Sequence, residues 1–424
     1  MSHKFFLLAL SGLSLLSLSG CGASPLAATP SPVPVTAPSP VSHPIVPAAS
    51  PTLLLEPGAG VQPWVTAIDH ARTGIDLNAY LIDNTAILTA LRQAGAHGVP
   101  IHVLLAPNPY GEAAAVPEER QALARIPDIT VRNAPRRFDS TYAFDHAKYL
   151  VINPGTAHVM ALIGTPNFTA SAFDGDNLEA ALSVAGPTAQ NATAVFQADW
   201  TNRPAGTGPR HALVLSPGAT STWRHLLQAS GPIQMMAEEI GDDPIILAQM
   251  AAAGPRLHLL CPVPTSSAAQ ARLAALAAAG VKIRTLFAPY VHAKVLITPQ
   301  TAFFGSQNLS SVSLQDNREM GMLVNGTART ALAAWFQHWW DQSTPWTAAS
   351  AASHSTSPAD PTASSASSRP WLPTGASMAT VHHLWGAPAR TYATTYHGQA
   401  QIAWMYPTAT VYFVHQHLVT VSDH

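Results

Sequence analysis

Two short stretches of the chain carry the same residue types at the same spacing. One reads Asp-His-Ala-Lys around His146 and Lys148, the other Val-His-Ala-Lys around His292 and Lys294. Each is followed by an apolar run ending in Gly-Thr/Ser-x-Asn, with Thr165 and Asn167 in the first and Ser306 and Asn308 in the second. A glutamate follows each, Glu179 and Glu319. On a strand, side chains alternate, so the His and Lys of each copy are expected on one face. These types suit phosphodiester chemistry. Two lysines hold an anionic phosphoryl group as point charges. Thr165, Ser306, Asn167 and Asn308 offer neutral donors to its oxygens. One histidine attacks phosphorus, and the other protonates the leaving oxygen and then activates water or an alcohol. A carboxylate on the far ring nitrogen fixes each tautomer, and Glu179 and Glu319 are available for that. No Asp/His/Cys cluster with metal-ligand spacing appears, so neither a metal nor a cofactor is expected.

What must position these residues is an internal repeat. "LLLEPGAG" at Leu53 returns as "LVLSPGAT" at Leu213. "IDLNAYLIDNTAILTALRQAGAHGVPIHVLLAP" has its partner in "IQMMAEEIGDDPIILAQMAAAGPRLHLLCP". In each, an apolar run precedes a helical pattern, a Gly or Gly-Pro break and a second apolar run. That is a β-α-β unit, which predicts an α/β fold with a parallel or mixed sheet covered by helices. "FQADW" and "FQHWW" close the two halves on aromatic helical patterns read as core. One half of the site is therefore expected to meet the other within a single chain.

The paired motifs resemble the phospholipase D superfamily, whose mark is His-x-Lys-x4-Asp followed by Gly-Ser-x-Asn. The resemblance runs from Leu53 to about Trp346. It implies two pseudo-symmetric α-β-α sandwich halves with mixed sheets, a site at their interface and a phosphohistidine intermediate. Carried over, His146 is the nucleophile and His292 the general acid. Lys148, Lys294, Asn167 and Asn308 bind phosphate, and Glu179 and Glu319 orient the histidines. The motif Asp is absent from both copies, where Asn153 and Pro299 stand, and Thr165 replaces the first Ser. In the family that Asp is a structural strand-end residue, and the tyrosyl-DNA phosphodiesterases resemble this chain in lacking it. The loss bears on local geometry more than on chemistry.

The chain ends read differently. Lys4 and the apolar run Phe5 to Leu18 look like an export signal too short to span a membrane. Leu18-Ser19-Gly20-Cys21 resembles a bacterial lipobox, which implies cleavage before Cys21 and its lipidation. Gly22 after the cysteine resembles outer-membrane sorting, so the expected location is the bacterial envelope, anchored and facing the periplasm. A Pro-rich tether over 21–51 cannot pack a core. The expected boundaries are 1–20 signal, 21–51 tether, 52–205 and 206–346 the two halves, 347–370 a flexible linker, and 371–424 a small α+β domain. In the last, "IAWMY", "TVYFV" and "HLVTV" read as an antiparallel meander. That segment loosely resembles the small domain of outer-membrane assembly lipoproteins, which implies an envelope partner. His382, His383, His415 and His417 are not read as a metal site. Cys261 in "LHLLCPVP" reads as a buried thiol, and no disulfide framework is expected.

Composition narrows the function. Charged residues make up only 10% and the net charge is −2, so no basic excess advertises nucleic acid. The 19 His against 21 Lys plus Arg make the charge balance acid-sensitive. The expected function is a metal-independent phosphodiesterase acting on phospholipid, by hydrolysis or by transfer as in cardiolipin synthesis, with a monomeric catalytic body. The membrane is both anchor and substrate. The alternatives are an envelope nuclease using Arg132, Arg136 and Arg137, and a non-catalytic scaffold.

Overall fold

The computed structural model describes residues 51–347 except 111, 141 and 265. Toward the C-terminus it describes 381, 385, 388, 390–396, 399–406, 409–414 and 417–423. The expected export signal, Cys21, nearly all of the tether, the linker from residue 348, and His382, His383 and His415 lie outside the described residues.

Each half builds one sheet in the same order. The first contains β1 (Thr52–Glu56), β2 (Ile75–Ala79), β3 (Ile101–Leu105), β4 (Ile129–Asn133), β5 (Tyr149–Ile152), β6 (Met160–Gly164) and β7 (Asn177–Ala185). Their order is β1-β7-β6-β5-β2-β3-β4. The second contains β8 (Val214–Ser216), β9 (Ile233–Met236), β10 (Leu257–Pro262), β11 (Lys282–Leu286), β12 (Val295–Ile297), β13 (Ala302–Gly305) and β14 (Glu319–Val324). Their order, β8-β14-β13-β12-β9-β10-β11, repeats the first. In each sheet the three strands of the β-α-β units run parallel, and β5 or β12 joins antiparallel to β2 or β9. The sheets are mixed, as the repeat predicts.

The helices of eight residues or more are α1 (Gln62–Asp69), α2 (Thr85–Ala96), α3 (Val116–Leu123), α4 (Gly186–Trp200), α5 (Thr220–Leu227), α6 (Pro244–Ala253), α7 (Ser267–Ala278) and α8 (Gly326–Gln342). The equivalent crossover helices start alike. Asn84 Oδ1 accepts from Ala86 and Ile87 N–H at α2, and Asp243 Oδ1 accepts from Ile245 and Ile246 N–H at α6. The inner strands β5, β12 and β13 are buried on both faces and read as continuous apolar runs. In β5, Tyr149 and Val151 enter the central core while Leu150 and Ile152 enter the outer core of the first half. Val295 and Ile297 of β12 likewise enter the central core, and Leu296 the outer core of the second half. The central core holds Phe196 of α4 and Phe336 of α8 with residues from both sheets, so the halves share one interior. The FQADW and FQHWW aromatics belong to it, as read from sequence.

The described C-terminal strands β15 (Arg390–Tyr396), β16 (Gln399–Tyr406), β17 (Ala409–Val414) and β18 (His417–Asp423) form an antiparallel meander in chain order. The sequence indicated only the last three. β15, "RTYATTY", lacks the apolar alternation of a half-buried strand and relies on the intrinsic strand preference of Thr and Tyr. Val381, Trp404, Tyr406, Val411 and Phe413 make a separate small core there.

Candidate active site

Both His-Ala-Lys segments sit just ahead of β5 and β12 rather than inside them, a correction to their reading as strand residues. They are extended because each pairs with the other half. His146 N–H donates to Arg318 C=O at 2.8 Å, and Asp145 bridges Arg318. In the second half, Tyr290 and Val291 pair in parallel with Asn177 and Leu178 of β7. Residue 318 precedes Glu319 and residue 178 precedes Glu179. The pairing therefore delivers each histidine to the glutamate of the opposite half. His146 Nδ1 is 2.9 Å from Glu319 Oε2. His292 Nδ1 is 2.7 Å from Glu179 Oε1, a contact bent off the hydrogen-bond line. Both Nδ1 atoms being so held, Nε2 of each ring is the nitrogen left for chemistry.

The glutamates are anchored in turn. Glu179 accepts from Thr165 Oγ1 at 2.5 Å and from Asn177 Nδ2 at 3.2 Å. Glu319 accepts from Ser313 Oγ at 2.7 Å and Asn317 Nδ2 at 3.1 Å. Thr165 and Ser306, expected as phosphate donors, lie against the strand bearing the glutamate. Both are fully buried, and their hydroxyls accept from Ala180 N–H and Met320 N–H of the strand bearing the glutamate. The preceding glycines permit this approach. A β-carbon at Gly164 would collide with Ala180 O, and one at Gly305 with the Gly321 Cα. Asn167 and Asn308 keep buried, unpartnered Oδ1 atoms. Their amide groups are therefore not committed to the protein in the way the hydroxyls are.

Lys148 and Lys294 are both buried, and each donates to the carbonyl of its own histidine, at 2.6 and 2.7 Å. Beyond that their surroundings differ. Lys148 Nζ lies 4.6 Å from the Tyr80 ring centre and, among the described residues, has no carboxylate in contact. Burial, with a smaller push from Lys294, holds Lys148 well below the usual lysine range against the pull of Glu319. Lys294 forms an ion pair with Glu238. Burial alone would push Glu238 up, but Lys294 and then His292 outweigh it and hold the carboxyl well below the usual range. His146 meets the edge of Tyr80 at 4.5 Å and of Phe144 at 5.9 Å. Burial, opposed by Glu319 and aided by Lys148, brings His146 down to about 4. The ring is neutral at neutral pH, with a lone pair on Nε2.

Glu238 and Tyr80 went unrecognised in the sequence. The repeat does carry a signal for them. Each follows an alanine at the end of its strand, Ala79-Tyr80 at the end of β2 and Ala237-Glu238 just past β9, two residues beyond Asn78 and Met236, which hold matched register with Tyr149 and Val295. Nothing local in "MMAEEIGDD" says that the first of its acids turns into the site.

The positions lacking the motif Asp lie at the far ends of β5 and β12. Seven residues separate His146 from Asn153, roughly 20 Å along a strand. Asn153 adopts φ 54°, and its Oδ1 accepts from Arg72 N–H at 2.7 Å and Thr73 N–H at 3.0 Å, pinning the loop that enters β2. Around Pro299 the turn is closed instead by Thr298 Oγ1, which accepts from Thr301 N–H at 3.1 Å. Asn153→Asp keeps the acceptor and is expected to leave unfolding and turnover nearly unchanged. Asn153→Ala loses it at a left-handed position and is expected to cost about 1–3 kcal/mol in thermal or denaturant unfolding.

Two halves that each bring a histidine, a buried lysine and an uncommitted asparagine amide, and that exchange their glutamates, form a two-half α/β candidate site. The family model described as "Cardiolipin synthase, PLD-like domain" matches residues 64–200 and 225–340, and the chain belongs to that family. The architecture is similar to a polyphosphate kinase from Porphyromonas gingivalis (16% identity, TM-score 0.50), covering 68% of this chain and 46% of that one. The chain thus spans less than half the length of that kinase. It is also similar to a phosphatidylserine synthase from Haemophilus influenzae Rd KW20 (10% identity, TM-score 0.50), covering 67% and 85%. A phospholipase D family member, Nuc from Salmonella typhimurium, matches 32% of this chain and 96% of its own at 23% identity and TM-score 0.30. A search among curated protein sequences finds no match.

Proposed function

We propose that the protein is a metal-independent phosphodiesterase of the phospholipase D type that hydrolyses or transfers phosphatidyl groups through a phosphohistidine. The observation that carries this is the crossed pairing, His146 with Glu319 and His292 with Glu179, which leaves both Nε2 atoms for phosphorus chemistry. His146 Nε2 attacks phosphorus, and the P–O bond to the departing alcohol breaks as His292 Nε2–H protonates its oxygen. Water or a second alcohol then gives its proton to His292 and attacks phosphorus, and the P–N bond breaks with its electrons returning to His146. Lys148, Asn167 and Asn308 face the developing charge.

A lipid substrate is supported by what borders the site. Tyr110, whose N–H donates to Tyr80 Oη, is 75% exposed, and Tyr142, in the hairpin ahead of Asp145, is 76% exposed. Phe287 and Tyr290, which lead into His292, are exposed as well. Aromatic rims of this kind suit the bilayer interface. The arginines considered for nucleic acid are largely occupied: Arg132 stacks on Trp200 at 4.2 Å, and Arg137 pairs with Asp199. Membrane attachment through a lipidated Cys21 and an envelope partner for the C-terminal meander complete the proposal.

The test offers the full chain phosphatidylcholine, phosphatidylglycerol and single-stranded DNA with EDTA present. Choline or glycerol release is expected; cleavage of DNA alone would transfer the reading to a nuclease, and turnover of nothing would sink it. A second expectation concerns pH. His146 need only be neutral to attack, so the acid limb of kcat/KM should fall near pH 4, not near 6.5. The same depression has a stability sign. The unfolded chain binds the proton first, so stability contributed by His146 rises with pH from about 4 to 6.5 and is lost below. A limb near 6.5 in the rate profile would assign the nucleophile elsewhere.

A further inference from the structure

Among the matched positions at which the two halves differ, one bears on the reacting nitrogens. Tyr80 presents its ring to His146 and Lys148. Glu238, at the equivalent place, pairs with Lys294 through Oε2 and sets Oε1 3.7 Å from His292 Nε2. Its side chain is one-fifth exposed, so it borders the space a substrate enters. His292 therefore has a carboxylate at each ring nitrogen, Glu179 at Nδ1 and Glu238 at Nε2, while His146 has one carboxylate and an aromatic edge.

We propose that Glu238 is a positioning residue that keeps a proton on His292 Nε2, so that pseudo-equivalent histidines take unequal roles, His146 the nucleophile and His292 the acid. This rests on the phosphodiesterase reading above and deepens it. The charged groups on His292 are Glu179 from β7 and Glu238 just past β9, and Glu238 is in turn paired with Lys294, hydrogen-bonded to Tyr290 and within electrostatic reach of His146. Of these, the carboxylate at Nε2 is the one with no counterpart at His146. In the first step the Nε2 proton passes to the leaving oxygen, and in the second a proton from water or alcohol returns to Nε2 beside the same carboxylate. The consequence is a preference in the leaving group. Alkyl alcohols, which depart poorly as alkoxides, depend on this proton, whereas p-nitrophenolate does not. The ion pair also leaves Lys148 as the lysine without a carboxylate in contact, which places the phosphoryl group toward the first half and in line for His146.

The test compares the full chain with Glu238→Gln and Glu238→Tyr, the latter restoring the first-half residue. Two readouts are taken: the ratio of turnover of an alkyl phosphodiester to bis(p-nitrophenyl) phosphate, and the nitrogen NMR shift of His292 Nε2 at neutral pH, assigned by loss of its signal in His292→Ala. The alkyl-to-nitrophenyl ratio is expected to fall about 100-fold in both Glu238 variants. The Nε2 resonance is expected to move from a protonated to an unprotonated position. An unchanged ratio, or an unmoved resonance, overturns the proposal. Wild-type turnover of neither ester would sink the phosphodiesterase reading alone, since the nitrogen shift judges Glu238 without any turnover.

Discussion

His146→Ala is expected to lower phosphodiester turnover by about 10⁴-fold or more and to abolish acid-labile phosphate bound to the protein. The loss is large because the nucleophile has no substitute. His292 holds the other end of the reaction, and Lys148 donates to the His146 carbonyl, so neither can reach the same face of phosphorus. The fold should survive. His146 makes its backbone bond to Arg318 through N–H, which alanine retains, and truncation removes an imidazole already neutral and mostly packed on Tyr80 and Phe144. Glu319 is then left buried without its ring partner, at a cost of about 1–3 kcal/mol. Radiolabel trapped on the wild-type chain and absent from the variant, with unfolding midpoints compared in parallel, checks both halves of the expectation. Residual label in His146→Ala equal to wild type would place the nucleophile at His292.

Lys148→Met is expected to make the protein more stable and nearly inactive. Lys148 is fully buried, touches no carboxylate, and is held well below its usual range by burial. The sign follows from linkage. A lysine whose folded value is depressed binds its proton more readily unfolded, so below its unfolded value, neutral pH included, it destabilises the fold. Methionine fills similar volume without the charge, and a gain of about 1–3 kcal/mol in unfolding free energy is expected at neutral pH, shrinking as pH rises. Turnover should fall about 10²–10³-fold, because the charge is what meets the phosphoryl oxygens. The same change at Lys294 should not stabilise, since it would strand Glu238 without its ion pair. Denaturant unfolding of the two variants side by side decides the matter. Destabilisation by Lys148→Met would mean that the charge is compensated in the folded state.

Much of this was legible before any coordinates. The repeat indicated two equal sheets, since β-α-β periodicity is a local property that apolar runs and glycine breaks write directly into sequence. It also marked the histidines, lysines, asparagines and glutamates as candidates, because the same residue types return at the same spacing in both copies. The hydroxyls of Thr165 and Ser306 were assigned to phosphate because a donor beside an asparagine looks like a ligand. Their actual partners lie on the neighbouring strand, reachable only because Gly164 and Gly305 let the strands close in. The strand β15 escaped because it carries no apolar alternation.

The sequence by itself determined that one chain holds two copies of a His-x-Lys and Gly-Thr/Ser-x-Asn motif and that an acid follows each copy. Only the tertiary structure decided which acid serves which histidine. The pairing crosses over because Asp145 bridges Arg318 and Tyr290–Val291 pairs with Asn177–Leu178, contacts spanning more than a hundred residues that exist only once the halves dock. Within each half, the turn past the strand bearing it set Glu238 onto Lys294 and His292 and Tyr80 onto Lys148 and His146. A repeat is symmetric in its backbone register, whereas charge and desolvation depend on every neighbour, so the inequality of the two histidines belongs to the folded chain.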